Sequence, residues 1–119
     1  MPGRLTTHVL DLGRGRPAAG VAIDLFRILP GSSRELVTSA RTNANGRTDA
    51  PLLSGEEYQA GIYELVFGVG DYFAAAGLAN AEITFLDWVP VQFGIADAEA
   101  HYHVPLLVTP WSYSTYRGS

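Results

Sequence analysis

Three histidines are the residues of this sequence that we consider for acid–base chemistry near pH 7. His8 stands in an early strand-like run, and His101 and His103 stand two residues apart near the end of the chain. A neutral imidazole can act as a general base near pH 7, because its pKa lies close to that pH. The ordinary interpretation of each histidine is a surface or structural residue, so imidazole chemistry is a hypothesis to be tested against the fold.

Arg47 follows the dipeptide Asn45-Gly46. That pair predicts a tight turn, because Asn and Gly tolerate the positive φ that such turns need. The Arg47 side chain would therefore be held near a rigid strand end. A solvated turn arginine is the default interpretation, and the functional alternative is a clamp for an anion or a carbonyl group, since a guanidinium presents planar, paired donors.

Other kinds of site find less support in the residue pattern. His101 and His103 would share one strand face, but the sequence names no third ligand and contains no cysteine, so we expect no metal site. The glycines at positions 13, 15 and 20 precede no predicted helix, which argues against a nucleotide-binding loop. The Gly-X-Ser-X-Gly motif of serine hydrolases is absent from the sequence.

Short runs of β-branched and aromatic residues, separated by Gly, Pro, Asn and Asp, predict strands that would position these side chains. The expected strands are residues 5–10, 21–28, 35–42, 61–67, 89–95, 103–109 and 111–116, with a very short one within 51–55. Residues 11–20 are expected to form a loop. One short helix is expected over residues 71–76, with Gly77 ending it as a C-cap.

Seven or eight short strands with one short helix predict an all-β protein, an antiparallel β-sandwich. Alternation should give two strands one apolar face each, formed by Val21, Ile23 and Leu25, and by Tyr63, Leu65 and Phe67. The 119 residues fit a single domain over 1–119. Because a sandwich has open edges that invite pairing with another copy, self-association is also expected.

Composition excludes several kinds of partner. The net charge is −4 and the eight basic residues are scattered, so we expect no nucleic-acid surface. No apolar run approaches the roughly 20 residues that span a bilayer, so we expect no membrane segment. The first residues contain no apolar run typical of a secretory signal, and we expect a cytoplasmic protein.

Four motifs, in the same order along the chain, resemble those of the 5-hydroxyisourate hydrolases, the transthyretin-related proteins. They are residues 5–11 with 15–20 (LTTHVLD and GRPAAG), 42–47 (TNANGR), 101–107 (HYHVPLL) and 113–119 (YSTYRGS). The resemblance runs from about residue 5 to the last residue. The final motif is the one that separates the hydrolases from transthyretin itself.

The resemblance implies a fold, an assembly and a reaction. The fold is a transthyretin-like (prealbumin-like) sandwich, and two dimers form a homotetramer with active sites where the dimers meet. The reaction is hydrolysis of 5-hydroxyisourate to 2-oxo-4-hydroxy-4-carboxy-5-ureidoimidazoline, a step of urate breakdown. It implies neither a cofactor nor a metal.

Matching positions carry the family's site onto this sequence. The implied catalytic residues are His8, Arg47 and His103. The implied substrate-binding residues are His8, Arg47, Tyr116, Arg117, Gly118 and Ser119. His101 falls outside the implied site, and the sequence leaves open which of the other two histidines is the base.

Two alternatives to the hydrolase remain at this stage. One is a transthyretin-like carrier that binds a small ligand in the same channel without turnover. The tail motif argues against it, because a carrier has no need of that signature. The other is a purely structural sandwich module, which a stable monomer would favour.

Overall fold

The computed structural model describes residues 3–80 and 82–119, and it consists mainly of strands with one short α-helix. The strands are β1 (Leu5–Asp11), β2 (Arg16–Pro17), β3 (Ala22–Ile28), β4 (Arg34–Arg41), β5 (Gly61–Gly68), β6 (Trp88–Ile95), β7 (Tyr102–Val108) and β8 (Tyr113–Thr115). The helix is α1 (Val69–Ala75), and 3-10 turns cover Pro30–Ser32 and Gly55–Glu57.

Two four-stranded sheets form a sandwich, with strand orders β2-β1-β7-β8 and β4-β3-β5-β6. This confirms the predicted all-β fold. The pairings are antiparallel except between β1 and β7, which run parallel. Side chains alternate with a period of two residues in parallel and antiparallel strands alike, so the sequence pattern does not predict which strands pair in parallel.

The core lies between the sheets and is built by strict alternation. The inward side chains of β1 are fully or almost fully buried, and its outward ones, including Thr6 and His8, are half-buried. The predicted apolar faces are both confirmed, with no exposure for Val21, Ile23, Leu25, Tyr63, Leu65 and Phe67. Thr6 and His8 therefore lie on the outer face of this sheet, and its inner face packs against the core.

The helix follows β5 directly and ends as predicted. It begins at Val69, two residues before the expected start. Gly77 has φ +74°, and its N–H donates to the Ala74 carbonyl while the N–H of Leu78 donates to that of Phe73. This pair of bonds is a Schellman motif, which favours glycine at the left-handed position. In the described part of the chain no helix is long and apolar enough to cross a membrane.

Three segments differ from the sequence prediction. The very short strand expected within 51–55 is only a single bridge, between Leu53 and Leu5. The expected loop over residues 11–20 contains β2, because the chain folds back so that Arg16 pairs with Asp11. The last strand is shorter than the predicted 111–116. The backbone N–H groups of Trp111 and Ser112 both donate to the Thr109 hydroxyl, which forms a turn there instead of a strand.

A buried carboxylate ties the loop after β1 to the helix. The side chain of Asp11 is fully buried and accepts hydrogen bonds from Arg14 Nε at 2.9 Å and from the Tyr72 hydroxyl at 2.8 Å. The Arg14 backbone N–H donates to its other oxygen at 3.0 Å. Burial opposes the charge and raises the pKa of Asp11, but the bonds from Tyr72 and Arg14 outweigh it, so the pKa lies below its ordinary value.

We predict that Asp11→Asn lowers the free energy of unfolding at pH 7 by about 1.5–3 kcal/mol, since these hydrogen bonds involve a charged acceptor. Because the pKa of Asp11 is lowered by folding, its contribution is fully present above the unfolded-state value of about 3.9 and is lost at lower pH. Urea unfolding from pH 7 down to pH 3 measures the difference. Asp24→Asn, at a more exposed carboxylate bonded to Ser39, is the matched control. Equal losses for the two variants would contradict the prediction.

Candidate active site

A cleft of about 460 Å³ opens on the outer side of the sheet that contains β1 and β7. It is lined by Arg4, Thr6, Thr7, Arg47, Thr48, Asp49, Ala50, Pro51, His101, His103 and Ser119. Three residues of the implied site, Arg47, His103 and Ser119, therefore meet in one cleft although they are distant in sequence.

His103 is positioned by the parallel pairing of β7 with β1. In that register Thr6 is its neighbour, and Thr6 Oγ1 lies 2.8 Å from His103 Nδ1. The imidazole is half-buried. Within residues 3–80 and 82–119 no hydrogen bond reaches its Nε2. Nε2 is therefore the ring nitrogen that is left for water or a ligand.

His8 is held in a different way. Its Nε2 lies 2.8 Å from the backbone oxygen of Asn45, and a carbonyl can only accept. Nε2 must therefore carry a hydrogen, so in the neutral ring Nδ1 is the nitrogen with the lone pair. His8 does not line the cleft itself, although its charge acts on His103.

The turn over residues 43–46 places Arg47 beside β1. The Asn43 carboxamide oxygen accepts from the backbone N–H of Asn45 at 2.9 Å and of Arg47 at 3.2 Å. The Gly46 carbonyl accepts from Val9 N–H at 2.8 Å, which joins the turn to the strand. Gly46 has φ +76°, and a Cβ there would overlap the Val9 carbonyl oxygen. Only glycine meets both requirements.

The charges around the two histidines favour their neutral forms. Partial burial lowers the pKa of His103, and the positive charge of Arg47 and then that of His8 lower it further, against an opposing contribution from a backbone hydrogen bond with Thr6. Burial and Arg47 also lower the pKa of His8, against an opposing contribution from its bond to Asn45. Both imidazoles are thus mainly uncharged at pH 7, which is the state that a general base requires.

The end of the chain is attached to β7 next to His103. Gly118 N–H donates to the His103 carbonyl at 2.7 Å, and Ser119 then enters the cleft. A side chain at position 118 would overlap the His103 ring, so glycine allows the tail to lie against the imidazole.

Tyr116 and Arg117 lie outside this cleft. They line a separate groove of about 230 Å³ beside β6. The Arg117 guanidinium stacks over the Tyr102 ring at 3.9 Å and donates to the His101 carbonyl at 3.1 Å. Within one chain, the four tail residues of the implied site are therefore divided between two surfaces.

Several cleft residues were not part of the site inferred from sequence. They are Arg4, Thr6, Thr7 and His101, with the segment over residues 48–51. The spacing of two residues indicated that His101 shares a strand face with His103, and Thr6 likewise stands two residues before His8 on β1. Neither pattern showed that the two faces adjoin. Among the described residues no cluster of three or more His, Cys, Asp or Glu could hold a metal ion.

The fold and the cleft define a small all-β sandwich protein with an imidazole–guanidinium site. This chain belongs to the HIUase/Transthyretin family, whose model matches residues 5–118. That match confirms the resemblance carried by the four motifs. The family includes both hydrolases and transthyretin, so particular relatives are informative.

Similar proteins are named as hydrolases. A 5-hydroxyisourate hydrolase of Ralstonia nicotianae is 61% identical over 117 residues, which cover 98% of this chain and 99% of that protein. The solved structure of Klebsiella pneumoniae 5-hydroxyisourate hydrolase is 37% identical with a TM-score of 0.79, and the match covers 98% and 99% of the two chains. The crystal structure of (S)-allantoin synthase is 48% identical with a TM-score of 0.91. That match covers 99% of this chain but only 44% of the other.

We predict that Gly46→Ala destabilises the protein more than Gly20→Ala does. Gly20 has a similar φ of +79°, but a Cβ there would meet no atom within 4 Å. Both variants carry the cost of a left-handed alanine, about 1–2 kcal/mol. Gly46→Ala adds a further cost of about 1–3 kcal/mol, because the new methyl group must displace the Val9 carbonyl or the turn. Equilibrium urea unfolding measures the difference, and equal losses would refute the proposed overlap.

Proposed function

We propose that this protein hydrolyses 5-hydroxyisourate to 2-oxo-4-hydroxy-4-carboxy-5-ureidoimidazoline. The observation that carries the proposal is the cleft in which Arg47 and the unbonded Nε2 of His103 occur together. The close relatives named 5-hydroxyisourate hydrolase support the same substrate. They also favour an enzyme over a carrier.

His103 acts as the general base in this proposal. Its Nε2 has no hydrogen-bond partner among the described residues, and its lowered pKa keeps the ring neutral at pH 7. Water adds to the ring amide carbonyl and gives a proton to Nε2. The ring C–N bond then breaks, and the proton passes to the departing nitrogen. The products are the new carboxylate and the ureido group.

Arg47 stabilises the negative charge that develops on the carbonyl oxygen. A guanidinium offers paired donors in one plane, which suits a flat ring with adjacent oxygen and nitrogen atoms. Held by the turn against β1, it is oriented before the substrate binds, so little reorganisation is needed in the transition state. A positive charge on Arg47 or on His8 lowers the pKa of His103, so both residues help to keep the His103 imidazole neutral.

We predict that the purified protein accelerates the decay of freshly prepared 5-hydroxyisourate, followed by its ultraviolet absorbance. His103→Ala should lower kcat by about 10²–10⁴-fold, the usual contribution of a general base. The pKa of His103 is lowered from its ordinary value of 6.5, so kcat/KM should be level near neutral pH and fall as acid protonates the ring. Binding without accelerated decay would instead indicate a carrier. Full turnover in both His8→Ala and His103→Ala would refute the assigned residues.

We also propose that four copies assemble as a dimer of dimers and that the tail takes part in the completed sites. Strands β6 and β8 form the ends of their two sheets, and edge strands readily pair with another copy. Trp88, Tyr113 and Tyr116 are 45%, 43% and 59% exposed on or near these strands. Because Tyr116 and Arg117 lie outside their own chain's cleft, contact with substrate would have to involve another copy.

Sedimentation equilibrium should give four times the mass of one chain at the concentration of the activity assay. Exposed aromatic side chains at sheet edges would be buried in that assembly, so its mass should change little with added salt. A monomer with full activity would contradict the proposed assembly, because each cleft would then work without a neighbouring tail.

A further inference from the structure

Thr6 is the only residue of β1 whose side chain is bonded to the imidazole of His103 in the described structure. The two residues are direct neighbours in the parallel β1–β7 ladder, and Thr6 Oγ1 lies 2.8 Å from Nδ1. Both side chains are half-buried and both line the cleft. The side chain of Thr6 points to the outer side of the sheet, because its neighbours Leu5 and Thr7 are buried on the inner side.

This hydrogen bond has two possible directions, unlike the bond made by His8. A carbonyl oxygen forces the hydrogen of His8 onto Nε2, whereas a hydroxyl can either donate or accept. If the Thr6 hydroxyl donated to Nδ1, the neutral His103 ring would carry its hydrogen on Nε2 and could not take a proton there. If it accepts from Nδ1–H, the Nε2 lone pair is available.

The surroundings favour acceptance by Thr6. No second acceptor for its hydroxyl hydrogen is found within residues 3–80 and 82–119, so that hydrogen can be donated into the cleft, to water or to a ligand. Arg47 lines the same cleft, and its positive charge suits a lone pair on Nε2 better than another N–H group. Asp49, the nearby acidic residue of the lining, is bonded to the Asn43 carboxamide at 3.0 Å.

We propose that Thr6 is a positioning residue, which accepts the Nδ1–H of His103 and so keeps the Nε2 lone pair of that ring available in the cleft. This role rests on the proposed hydrolase function, in which His103 is the base. Thr6 acts through the imidazole by selecting its tautomer and orientation. The two histidines then carry their hydrogens on opposite nitrogens, Nδ1 in His103 and Nε2 in His8.

The tautomers can be measured without substrate. Long-range ¹H–¹⁵N correlation spectra of histidine-labelled protein at pH 7.5 distinguish protonated from unprotonated ring nitrogens, and the chain has only three histidines. A His101→Ala sample assigns one set of signals. We expect Nδ1–H for His103 and Nε2–H for His8, which serves as an internal reference. An Nε2–H tautomer for His103 in the unmodified protein would overturn the proposal, whatever the behaviour of any variant.

Thr6→Val and Thr6→Ser separate the hydroxyl from the shape of the side chain. Thr6→Val should shift His103 towards the Nε2–H tautomer and lower kcat about 10-fold with a smaller change in KM, as the loss of one hydrogen bond implies. Thr6→Ser should retain the original tautomer and most of the activity. Thr38→Val, the same change on β4 of the opposite sheet, is the matched control and should leave both readouts unchanged.

The two readouts keep this inference distinct from the proposed function. If the unmodified protein does not hydrolyse 5-hydroxyisourate, the function fails, and the spectra still decide the role of Thr6 in selecting the tautomer. If the unmodified protein is active and Thr6→Val keeps the same His103 tautomer and the same kcat, the function stands and the positioning role is refuted.

Discussion

The parallel pairing of β1 with β7 is the constraint on which the cleft depends. Its register is set by the core, because the inward partners Leu5 and Tyr102, and likewise Val9 and Leu106, are buried together. A slip of one residue would turn buried side chains outward, which makes the register costly to change. The outward pair of Thr6 and His103 inherits that register. Packing on one face of the sheet therefore determines the geometry of polar groups on the other.

Electrostatics in the cleft combines two effects that act in the same direction. Partial burial disfavours a charged imidazole, and the nearby guanidinium of Arg47 disfavours it further. Each histidine also has one ring nitrogen engaged, by Thr6 for His103 and by a backbone carbonyl for His8. Burial and nearby positive charge lower the pKa of both rings against a smaller opposing contribution from hydrogen bonds, and the hydrogen bonds determine which ring nitrogen is available.

Sequence patterns predicted the features of this fold that depend on local chemistry. Alternation identified the buried faces of β3 and β5, and Gly77 marked the end of α1. The same patterns could not show that β1 and β7 pair with each other, because residues 6 and 103 are far apart in sequence and become neighbours only in the folded sheet. For that reason His8, Arg47 and His103 could be named as candidates from motifs, while Thr6 could not. The short β2 was missed because its two residues form a strand only by pairing with β1.

The tail shows why sequence adjacency is a poor guide to a shared surface. Gly118 is bonded to the backbone of His103, so the last residue enters the cleft. Arg117, one residue earlier, stacks on Tyr102 and reaches the groove beside β6. Thr115 and Tyr116 line that groove as well, so the tail changes surface between Arg117 and Ser119, where Gly118 bridges to His103. A tail bonded to β7 in this way cannot bring all four of its final residues to the cleft of its own chain.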